Sequence, residues 1–357
     1  MNSISNATDT RTHTITVDTD ALGREVSTHP HTSLGEPPLF IQPASARMRD
    51  DFAYFSAWFR EHRALFDQLL AVHGACFLRG FPLVSSELFN QLVAHYPGMD
   101  HGYAAGATPR QSVTGRVFEA TRAPAESKLN LHQEMAYLPQ YPKQLAFYCL
   151  QAPASGGETL MGNMRQFDRE VSREFRAAIQ QRGVLYTRNF RAPGSTLGNV
   201  MLDAYHRTWV DALGTQDRDD AAAQCDAMQL GHAWLDDGSL SVTYRAAGFA
   251  RHPLTGVDIW FNQIATQSIT PGNMGAEFCA EYRKFYGDDK PYSYRTTFGD
   301  GGVIADDDIA ALYPLLDKIT IAIPWQHGDV MLLDNFYTAH GRNPFTGQRA
   351  VHVALLN

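Results

Sequence analysis

The sequence is low in charge and has no excess of basic residues. Lysine and arginine number 30 against 38 acidic residues, charged residues make up 19% of the chain, and the formal net charge is -8. A nucleic-acid-binding protein needs a basic face, so the composition argues against that class. Hydrophobic residues make up 44% of the 357 positions, which permits a sizeable core and excludes wholesale disorder.

Cysteine and long apolar runs are also scarce. The four cysteines lie too far apart in the chain to form a C-x-x-C pair. Neither a disulfide framework nor a zinc-thiolate site is expected, and reduced thiols are typical of the cytoplasm. No apolar run approaches the roughly 18 residues of a membrane helix, and the first 20 residues lack the pattern of a signal peptide. We therefore expect a cytoplasmic protein without a membrane partner.

Several catalytic motifs are missing. The only near match to a G-x-S-x-G nucleophile elbow is GSTLG at 194–198, where the serine comes one position too early. There is no Walker loop, and GDGG at 299–302 lacks the third glycine of a dinucleotide-binding loop. These absences argue against a serine hydrolase, a nucleotide triphosphatase and a simple dehydrogenase.

Hydrophobic periodicity predicts both helices and strands. Apolar residues at helical spacing predict helices at 49–73, 85–97, 167–182, 218–230 and 275–287. Short apolar or alternating runs predict strands, among them 75–81, 129–137, 144–152, 158–164, 184–190, 318–325, 329–336 and 349–356. Gly74 is expected to end the first helix and Ser85 to cap the second. Strands near both ends, with helices inserted between them, favour one barrel or sandwich.

The polar segment 1–37 is predicted to be a disordered or loosely ordered leader, because it has too few apolar residues to pack. The remainder, 38–357, is predicted to be a single domain, since no linker divides it.

Two histidine–acid pairs could contribute metal ligands: His132-Gln133-Glu134 and His327-Gly328-Asp329. Two histidines and one carboxylate form the facial triad of non-heme Fe(II) enzymes. With 14 histidines and 38 acids, however, chance alone gives about one or two such pairs. The first pair lies in a strand-like run, where alternation would place both side chains on one face. The second lies at a predicted turn, so we interpret His327 and Asp329 as turn residues.

Further segments strengthen the first pair. They are VFEATRAP at 117–124, HQEMAY at 132–137, GGETL at 156–160, DIWFNQ at 258–263, TTFGDGGVI at 296–304, HGDVMLLDN at 327–335 and AHGRNPFTGQR at 339–349. Together they resemble the taurine dioxygenase-like Fe(II)/2-oxoglutarate-dependent oxygenases, and most closely the branch containing the syringomycin-type aspartyl hydroxylases. The resemblance runs from about residue 75 to the C-terminal end of the sequence. It implies mainly β architecture with helical insertions, a double-stranded β-helix or jelly roll.

The resemblance also implies a ligand set. His132, Glu134 and His340 would bind Fe(II), with Glu in place of the commoner Asp, and the carboxylate argues against a radical halogenase. Thr159 and Arg349 would hold the distal carboxylate of 2-oxoglutarate, which a guanidinium fits in a bidentate manner. Some relatives carry a second arginine where this chain has Val353. The implied cofactors are Fe(II), 2-oxoglutarate as cosubstrate, and O2.

Residues for the substrate are less clearly indicated. Asn130 precedes His132 by two residues and could contact the substrate or support the metal ligand. The other candidates for a polar substrate are Arg122, Tyr137, Asn262, Arg295 and Arg342. Each of them could equally be a structural or surface residue. Asp334 and Asn335 are expected to shape the turn that presents His340.

The function expected from these features is oxidation, by default hydroxylation, of an unactivated C–H bond in a small amino-acid-like substrate of specialised metabolism. The substrate could be free or tethered to a carrier protein. The same cofactors could instead support desaturation, cyclisation or C–C cleavage. A different class, a non-catalytic cupin-like barrel that binds a metal or ligand, would not need 2-oxoglutarate. Nothing in the sequence specifies an oligomeric state.

Overall fold

The computed structural model describes residues 17–31, 37–99, 111–287 and 290–357. Its strands are β1 (Val26–Pro30), β2 (Leu39–Pro43), β3 (Ala75–Leu78), β4 (Ser112–Thr114), β5 (Val117–Glu119), β6 (Leu129–His132), β7 (Gln144–Gln151), β8 (Ser155–Gly156), β9 (Thr159–Asn163), β10 (Val184–Phe190), β11 (Gly231–Trp234), β12 (Leu240–Ala246), β13 (Phe249–Arg251), β14 (Asp258–Trp260), β15 (Tyr294–Phe298), β16 (Thr320–Ala322), β17 (Val330–Asp334), β18 (Thr338–Arg342), β19 (Phe345–Thr346) and β20 (Ala350–Leu356). Its helices are α1 (Ala46–Asp50), α2 (Phe52–Glu61), α3 (Arg63–His73), α4 (Ser86–Val93), α5 (Met164–Glu170), α6 (Arg173–Arg182), α7 (Val200–Tyr205), α8 (Trp209–Leu213), α9 (Arg218–Ala227), α10 (Pro271–Met274), α11 (Ala276–Tyr286), α12 (Asp306–Ala310) and α13 (Leu312–Lys318).

The predicted helix ends agree with the structure where a cap fixes them. α3 ends at Gly74, which has a φ of 76°, and the Ser85 hydroxyl caps α4 by accepting a hydrogen bond from the Leu88 N–H. The predicted helix 49–73 is in fact three helices, because Asp51 caps a new helix there and the backbone breaks again at His62.

Two further helix predictions need correction. The segment 167–182 contains an end and a start, since Val171 is extended and Ser172 caps α6. Between 192 and 238, where one helix was predicted, the structure has three short ones, α7, α8 and α9. Each of the three is capped by a polar residue, which a periodicity search over longer windows does not detect.

Two sheets form the frame of the site. An eight-stranded sheet has the order β1-β2-β3-β17-β7-β20-β5-β4, and a four-stranded sheet has the order β16-β9-β18-β6. β17 and β20 come late in the sequence but pair on either side of β7, so the large sheet is completed only by the end of the chain. These sheets agree with the mixed, strand-rich architecture expected, and they are consistent with a jelly roll.

Both faces of the large sheet are buried. Along β17, Met331 and Leu333 pack into the cluster that also includes residues of the four-stranded sheet, whereas Val330 and Leu332 pack against the N-terminal helices. Burying each such side chain contributes about 1.5–3 kcal/mol. We call the side facing the four-stranded sheet the inner face of the eight-stranded sheet.

Part of the predicted loose leader is ordered. β1 pairs antiparallel with β2, and Leu22 is buried while its carbonyl accepts a hydrogen bond from the Trp58 indole. These contacts hold 17–31 against the rest of the fold, because a few apolar residues suffice when a neighbouring strand offers backbone partners. The division into a leader and a single domain from residue 38 stays a prediction. Residues 1–16 and 32–36, also in the predicted leader, lie outside the described residues.

A second four-stranded sheet, β11-β12-β10-β15, belongs to the middle of the chain. β10 matches the predicted strand 184–190, and its residues Tyr186 and Phe190 are buried. In the part of the chain that the structure describes, no helix is both long enough and apolar enough to cross a membrane.

Candidate active site

His132 and His340 lie opposite each other on paired strands of the four-stranded sheet. β6 and β18 are antiparallel with His132 in register with His340, and the two imidazole centroids are 4.4 Å apart. The Nε2 atom of His340 lies 3.3 Å from Oε2 of Glu134. One ligand atom from each of these three residues falls within 4.8 Å of the others, the one such group found among the described residues.

Glu134 reaches the two histidines from a turn. β6 ends at His132, and the following residues form a turn in which Met135 has a φ of 59°. The expectation that strand alternation aligns His132 with Glu134 is therefore wrong. The Asn335 amide holds the turn instead: its Oδ1 accepts the Glu134 N–H at 2.7 Å, and its Nδ2 donates to the Glu134 carbonyl at 3.0 Å.

The backbone sets the orientation of the His132 ring. Nδ1 of His132 lies 2.8 Å from the Asn130 carbonyl oxygen. A carbonyl only accepts, so Nδ1 carries the proton and the lone pair is on Nε2, where it can bind a metal. The amide of Asn130 donates to the Gly272 carbonyl, so Asn130 supports the ligand through its backbone while its side chain contacts α10.

The three side chains suit a divalent cation. Glu134 and His340 are 6% and 5% exposed, and a buried carboxylate requires a cation or strong donors nearby. Nδ1 of His340 is buried and makes no hydrogen bond to any described residue, while the ring packs 5.2 Å from Phe147 on the inner face of the large sheet. Two imidazole nitrogens and one carboxylate oxygen form the donor set that non-heme Fe(II) favours.

Arg349 lies immediately before β20 and contacts the start of β9, the strand that pairs with the His340 strand. Its Nε donates to the Gly157 carbonyl at 2.8 Å, and its Nη2 is 3.4 Å from the Thr159 hydroxyl. Burial, and after it the nearby charge of Arg342, lowers the pKa of Arg349 to about 10, so it remains a cation at neutral pH. Within the described ranges its hydrogen bonds go to a carbonyl and a hydroxyl, not to a carboxylate. Such a half-buried cation is suited to bind an anion.

Gly157 explains why the glycine pair precedes Thr159. Gly157 has a φ of 70°, and a Cβ there would lie 3.1 Å from Cδ of Arg349 and 2.9 Å from Cβ of Phe345. Only a residue without a side chain lets this turn pack so closely against the arginine. Thr159 lies two residues from Met161, which pairs with His340. The Thr159 position is therefore roughly 7 Å along the strand from the metal-ligand position.

Arg342 has a structural role. It is 3% exposed, and its guanidinium donates to the backbone carbonyls of Ala123, Pro124 and Ser127. These bonds anchor the loop that leads into β6. They occupy both Nη atoms, so the structure does not support the substrate role predicted for Arg342.

Asn262, Arg122 and Arg295 are also engaged elsewhere or exposed. The Asn262 amide donates to the Gly248 carbonyl and accepts from the Ile264 N–H, which satisfies both of its ends. Arg122 is exposed and lies 3.4 Å from Glu119, and Arg295 is exposed on β15. Asn262 nevertheless lines the same pocket as His132, whereas no contact in the described part of the structure brings Arg122 or Arg295 to the metal cluster.

Tyr137 lines a different pocket from Asn262. The pocket lies between the turn after Glu134 and one face of β10 and β12, and its lining includes Tyr137, Tyr186, Arg188, Phe190 and Tyr244. The Arg188 guanidinium lies 5.5 Å from the Tyr137 ring centroid and 4.9 Å from that of Phe190. Burial lowers the pKa of Arg188 from its usual value. Arg188 is not among the residues predicted from sequence, because nothing in the alternation of β10 distinguishes it.

The second histidine–acid pair serves the turn before β17. Asp329 accepts two hydrogen bonds from Arg79, at 2.9 and 2.7 Å, and one from the Gln326 N–H. Nδ1 of His327 lies 2.7 Å from the Leu150 carbonyl. Both residues are turn residues, as predicted.

The two facing sheets, the cluster of two imidazoles and a carboxylate, and the half-buried arginine next to Thr159 define the class of a non-heme iron oxygenase that takes an anionic cosubstrate. The family described as taurine catabolism dioxygenase TauD, TfdA matches residues 36–355, and the chain belongs to this family. It is accordingly an Fe(II)- and 2-oxoglutarate-dependent oxygenase, and its cofactors are Fe(II), 2-oxoglutarate and O2.

Similar proteins cover most of the chain. The dapdiamide synthesis protein DdaC of Enterobacter agglomerans is 29% identical over 291 residues, which are 82% of this chain and 84% of that protein. A clavaminate synthase-like protein of Arabidopsis thaliana is 29% identical over 330 residues, or 89% and 93% of the two chains. The crystal structure of the PvcB protein from Pseudomonas aeruginosa is similar in fold, with a TM-score of 0.50 and 16% identity over 93% of this chain and 92% of that one.

Proposed function

We propose that this oxygenase hydroxylates an unactivated C–H bond of a small amino-acid-like substrate, with iron held by His132, Glu134 and His340. The observation that carries the site is the meeting of these three side chains within 4.8 Å. The Asn130 carbonyl keeps the Nε2 lone pair of His132 available, and Asn335 keeps Glu134 directed at the histidines.

We further propose that Arg349 and Thr159 bind the distal carboxylate of 2-oxoglutarate. Arg349 is cationic at neutral pH and lies within reach of the Thr159 hydroxyl. The separation of roughly 7 Å along the strand suits a five-carbon dicarboxylate that has its other end at the metal. Val353, at the place of a second arginine in some relatives, is fully buried among apolar residues, so the anchor has one guanidinium.

Iron held by His132, Glu134 and His340 would couple the four-electron reduction of O2 to two two-electron oxidations: that of 2-oxoglutarate to succinate and CO2, and that of the substrate. The contribution of the chain is to orient the reactants and to exclude water and side reactions. The inner face is lined with apolar residues, and one of them, Phe147, lies 5.2 Å from the His340 ring. Together with the facing four-stranded sheet, they support the proposal that the two sheets are the halves of a jelly roll.

The pocket beside Tyr137 supports an amino-acid-like substrate. Its lining is mainly aromatic and aliphatic, with Arg188 as the charged member. A guanidinium in such surroundings favours a ligand that carries a carboxylate. The name of DdaC refers to dapdiamide synthesis, which supports a role in specialised biosynthesis. Whether the substrate is free or carrier-tethered is part of the test.

Desaturation, cyclisation and C–C cleavage need the same site and remain the alternative outcomes. The rival class, a non-catalytic cupin-like barrel, has no need for a cation such as Arg349 next to the metal ligands. Arg349 therefore favours the oxygenase.

The test is a panel of free amino acids, carrier-loaded amino acids, sulfonates, phenoxy acids and fatty acids. The true substrate should accelerate conversion of 2-oxoglutarate to succinate above the substrate-free rate. A product heavier by one oxygen atom supports hydroxylation, whereas a loss of two hydrogens indicates desaturation or ring closure. If only a sulfonate or a phenoxy acid stimulates turnover, the amino-acid proposal fails.

A matched pair of variants tests the pocket. Arg188→Gln should lower kcat/KM for the best carboxylate-bearing substrate by roughly 30-fold or more, because it removes a charge-assisted contact. Arg295→Gln changes an exposed arginine that pairs with Thr187, the neighbour of Arg188, and should leave the rate unchanged. Equal effects of both changes would remove Arg188 from the proposed substrate site.

A further inference from the structure

The turn between β17 and β18 contacts the segment that carries the first two metal ligands. Asn335 binds the backbone of Glu134 on both sides, and the Phe336 carbonyl accepts a hydrogen bond from the Gln133 amide at 2.8 Å. Tyr337 ends the turn, and His340 follows three residues later on β18. A displacement of this turn would therefore move Glu134 relative to His340.

Asp334 fixes the turn from within. Its Oδ1 accepts the N–H groups of Phe336 and Tyr337, both at 2.9 Å. Its Oδ2 lies 2.8 Å from Nε2 of His252, a residue distant in sequence that is 1% exposed.

The protonation of His252 follows from its contacts. Nδ1 lies 3.2 Å from the Leu254 nitrogen and 3.1 Å from the Thr255 nitrogen, and both of these are N–H donors. Nδ1 must therefore accept, so the proton is on Nε2 and is donated to Asp334. The ring also stacks on Tyr337, with centroids 4.2 Å apart and planes 10° apart, and Thr255 hydrogen-bonds the Tyr337 hydroxyl.

We propose that His252 is a positioning residue for the iron site: through its hydrogen bond to Asp334 it fixes the turn that sets Glu134 against His340. This inference rests on the metal centre proposed above. His252 makes no contact with the three ligands, and its effect passes through Asp334 and Asn335. Residues that orient metal ligands from behind typically change metal affinity or activity by about 10- to 100-fold when they are replaced.

Two substitutions test the two ring nitrogens of His252 separately. His252→Asn places an acceptor near the Nδ1 position, so it can serve the Leu254 and Thr255 N–H groups, but it removes the donor to Asp334. His252→Gln places an amide N–H near the Nε2 position, so it can still donate to Asp334. Fe(II) affinity is measured anaerobically by calorimetry in the presence of 2-oxoglutarate, together with the melting temperature of each protein.

The expected result is a loss of Fe(II) affinity of about tenfold or more in His252→Asn, and recovery to within about threefold of the parent in His252→Gln. Ser86→Ala is the stability control. It removes a buried hydrogen bond to His352 on the outer side of the large sheet, so it should lower the melting temperature without changing Fe(II) affinity.

The proposal would be overturned if a folded His252→Asn protein bound Fe(II) as tightly as the parent does. It would also be overturned if His252→Gln lost Fe(II) affinity tenfold at an unchanged melting temperature. If His252→Asn does not fold, the Fe(II) affinity of His252→Gln still tests the proposal. His132→Ala distinguishes an error in the metal centre from an error in the positioning role of His252. If it retains Fe(II) binding, the metal centre itself is wrong. If it loses binding while His252→Asn keeps it, only the positioning role fails.

Discussion

The chain contains two histidine–acid pairs of the same spacing, and the fold uses them differently. Glu134 lies against His340, with imidazoles as its neighbours in the candidate metal cluster. Asp329 lies against Arg79, whose guanidinium donates two hydrogen bonds to it. Both carboxylates are buried. In the second pair the protein itself supplies the cation, and in the first pair we propose that a bound metal ion supplies it.

The difference shows that the motif alone does not define a metal site. A third residue is needed, and strand pairing supplies the candidate. β18 places His340 opposite His132 on β6, 208 positions away in sequence. His327 lies in a turn outside the strands, and its ring contacts the Leu150 carbonyl. Non-local strand pairing therefore distinguishes the pair that belongs to the candidate metal cluster from the pair that does not.

The largest expected effect is on the first pair. His132→Ala should abolish turnover and lower Fe(II) affinity by more than the roughly 100-fold expected for loss of a supporting residue. His327→Ala, in the matched position of the second pair, should leave both within about twofold of the parent. The measurement is anaerobic Fe(II) titration followed by an assay of succinate formation. Equal losses in two folded variants would contradict the assignment.

A second prediction compares the arginines that lie near the two pairs. Arg349→Ala should weaken 2-oxoglutarate binding by about 2–4 kcal/mol, or roughly 30- to 1000-fold, because a charge-assisted carboxylate contact is lost. Fe(II) affinity should change much less. Arg79→Lys, which keeps a charge beside Asp329, should leave 2-oxoglutarate affinity unchanged. Calorimetric titration measures both affinities. Unchanged 2-oxoglutarate affinity in Arg349→Ala would show that another residue binds the distal carboxylate.

A third prediction concerns the second pair as a structural element. Asp329→Asn should lower the free energy of unfolding by about 2–3 kcal/mol, because it breaks a buried ion pair with Arg79 while keeping the volume of the side chain. Denaturant unfolding measures the change. Fe(II) affinity of the folded variant should equal that of the parent, and a parallel loss of metal binding would show that the two pairs are coupled.

Local features of the sequence predicted the elements well where a cap or an alternation defines them. Gly74, Ser85 and strand 184–190 are examples. The breaks in the long helices were missed, because a capping Asp51 or Ser172 inside an apolar pattern also reads as a polar helical position. In such segments a polar residue can therefore be interpreted either as a helix cap or as an exposed position within a longer helix.

The ligand set could be proposed from sequence, but its geometry could not. Glu134 lies in a turn held by Asn335, about 200 positions later, and His252 acts through Asp334 from a third segment. Arg342 was grouped with the substrate candidates, although it anchors the loop before β6. An arginine in a motif can bind a ligand or a backbone, and only the fold decides between the two.

The smallest expected effect is on 2-oxoglutarate binding when Thr159 is changed. Thr159→Val keeps the shape of a β-branched side chain on β9 but removes the hydroxyl that lies 3.4 Å from the Arg349 guanidinium. The loss of one neutral hydrogen-bond partner should weaken 2-oxoglutarate binding by about 1 kcal/mol, roughly fivefold. Thr159→Ser keeps the hydroxyl and should stay near the parent value. A loss in Thr159→Ser equal to that in Thr159→Val would assign the effect to packing of the methyl group, and Arg349 would then bind the carboxylate without help from Thr159.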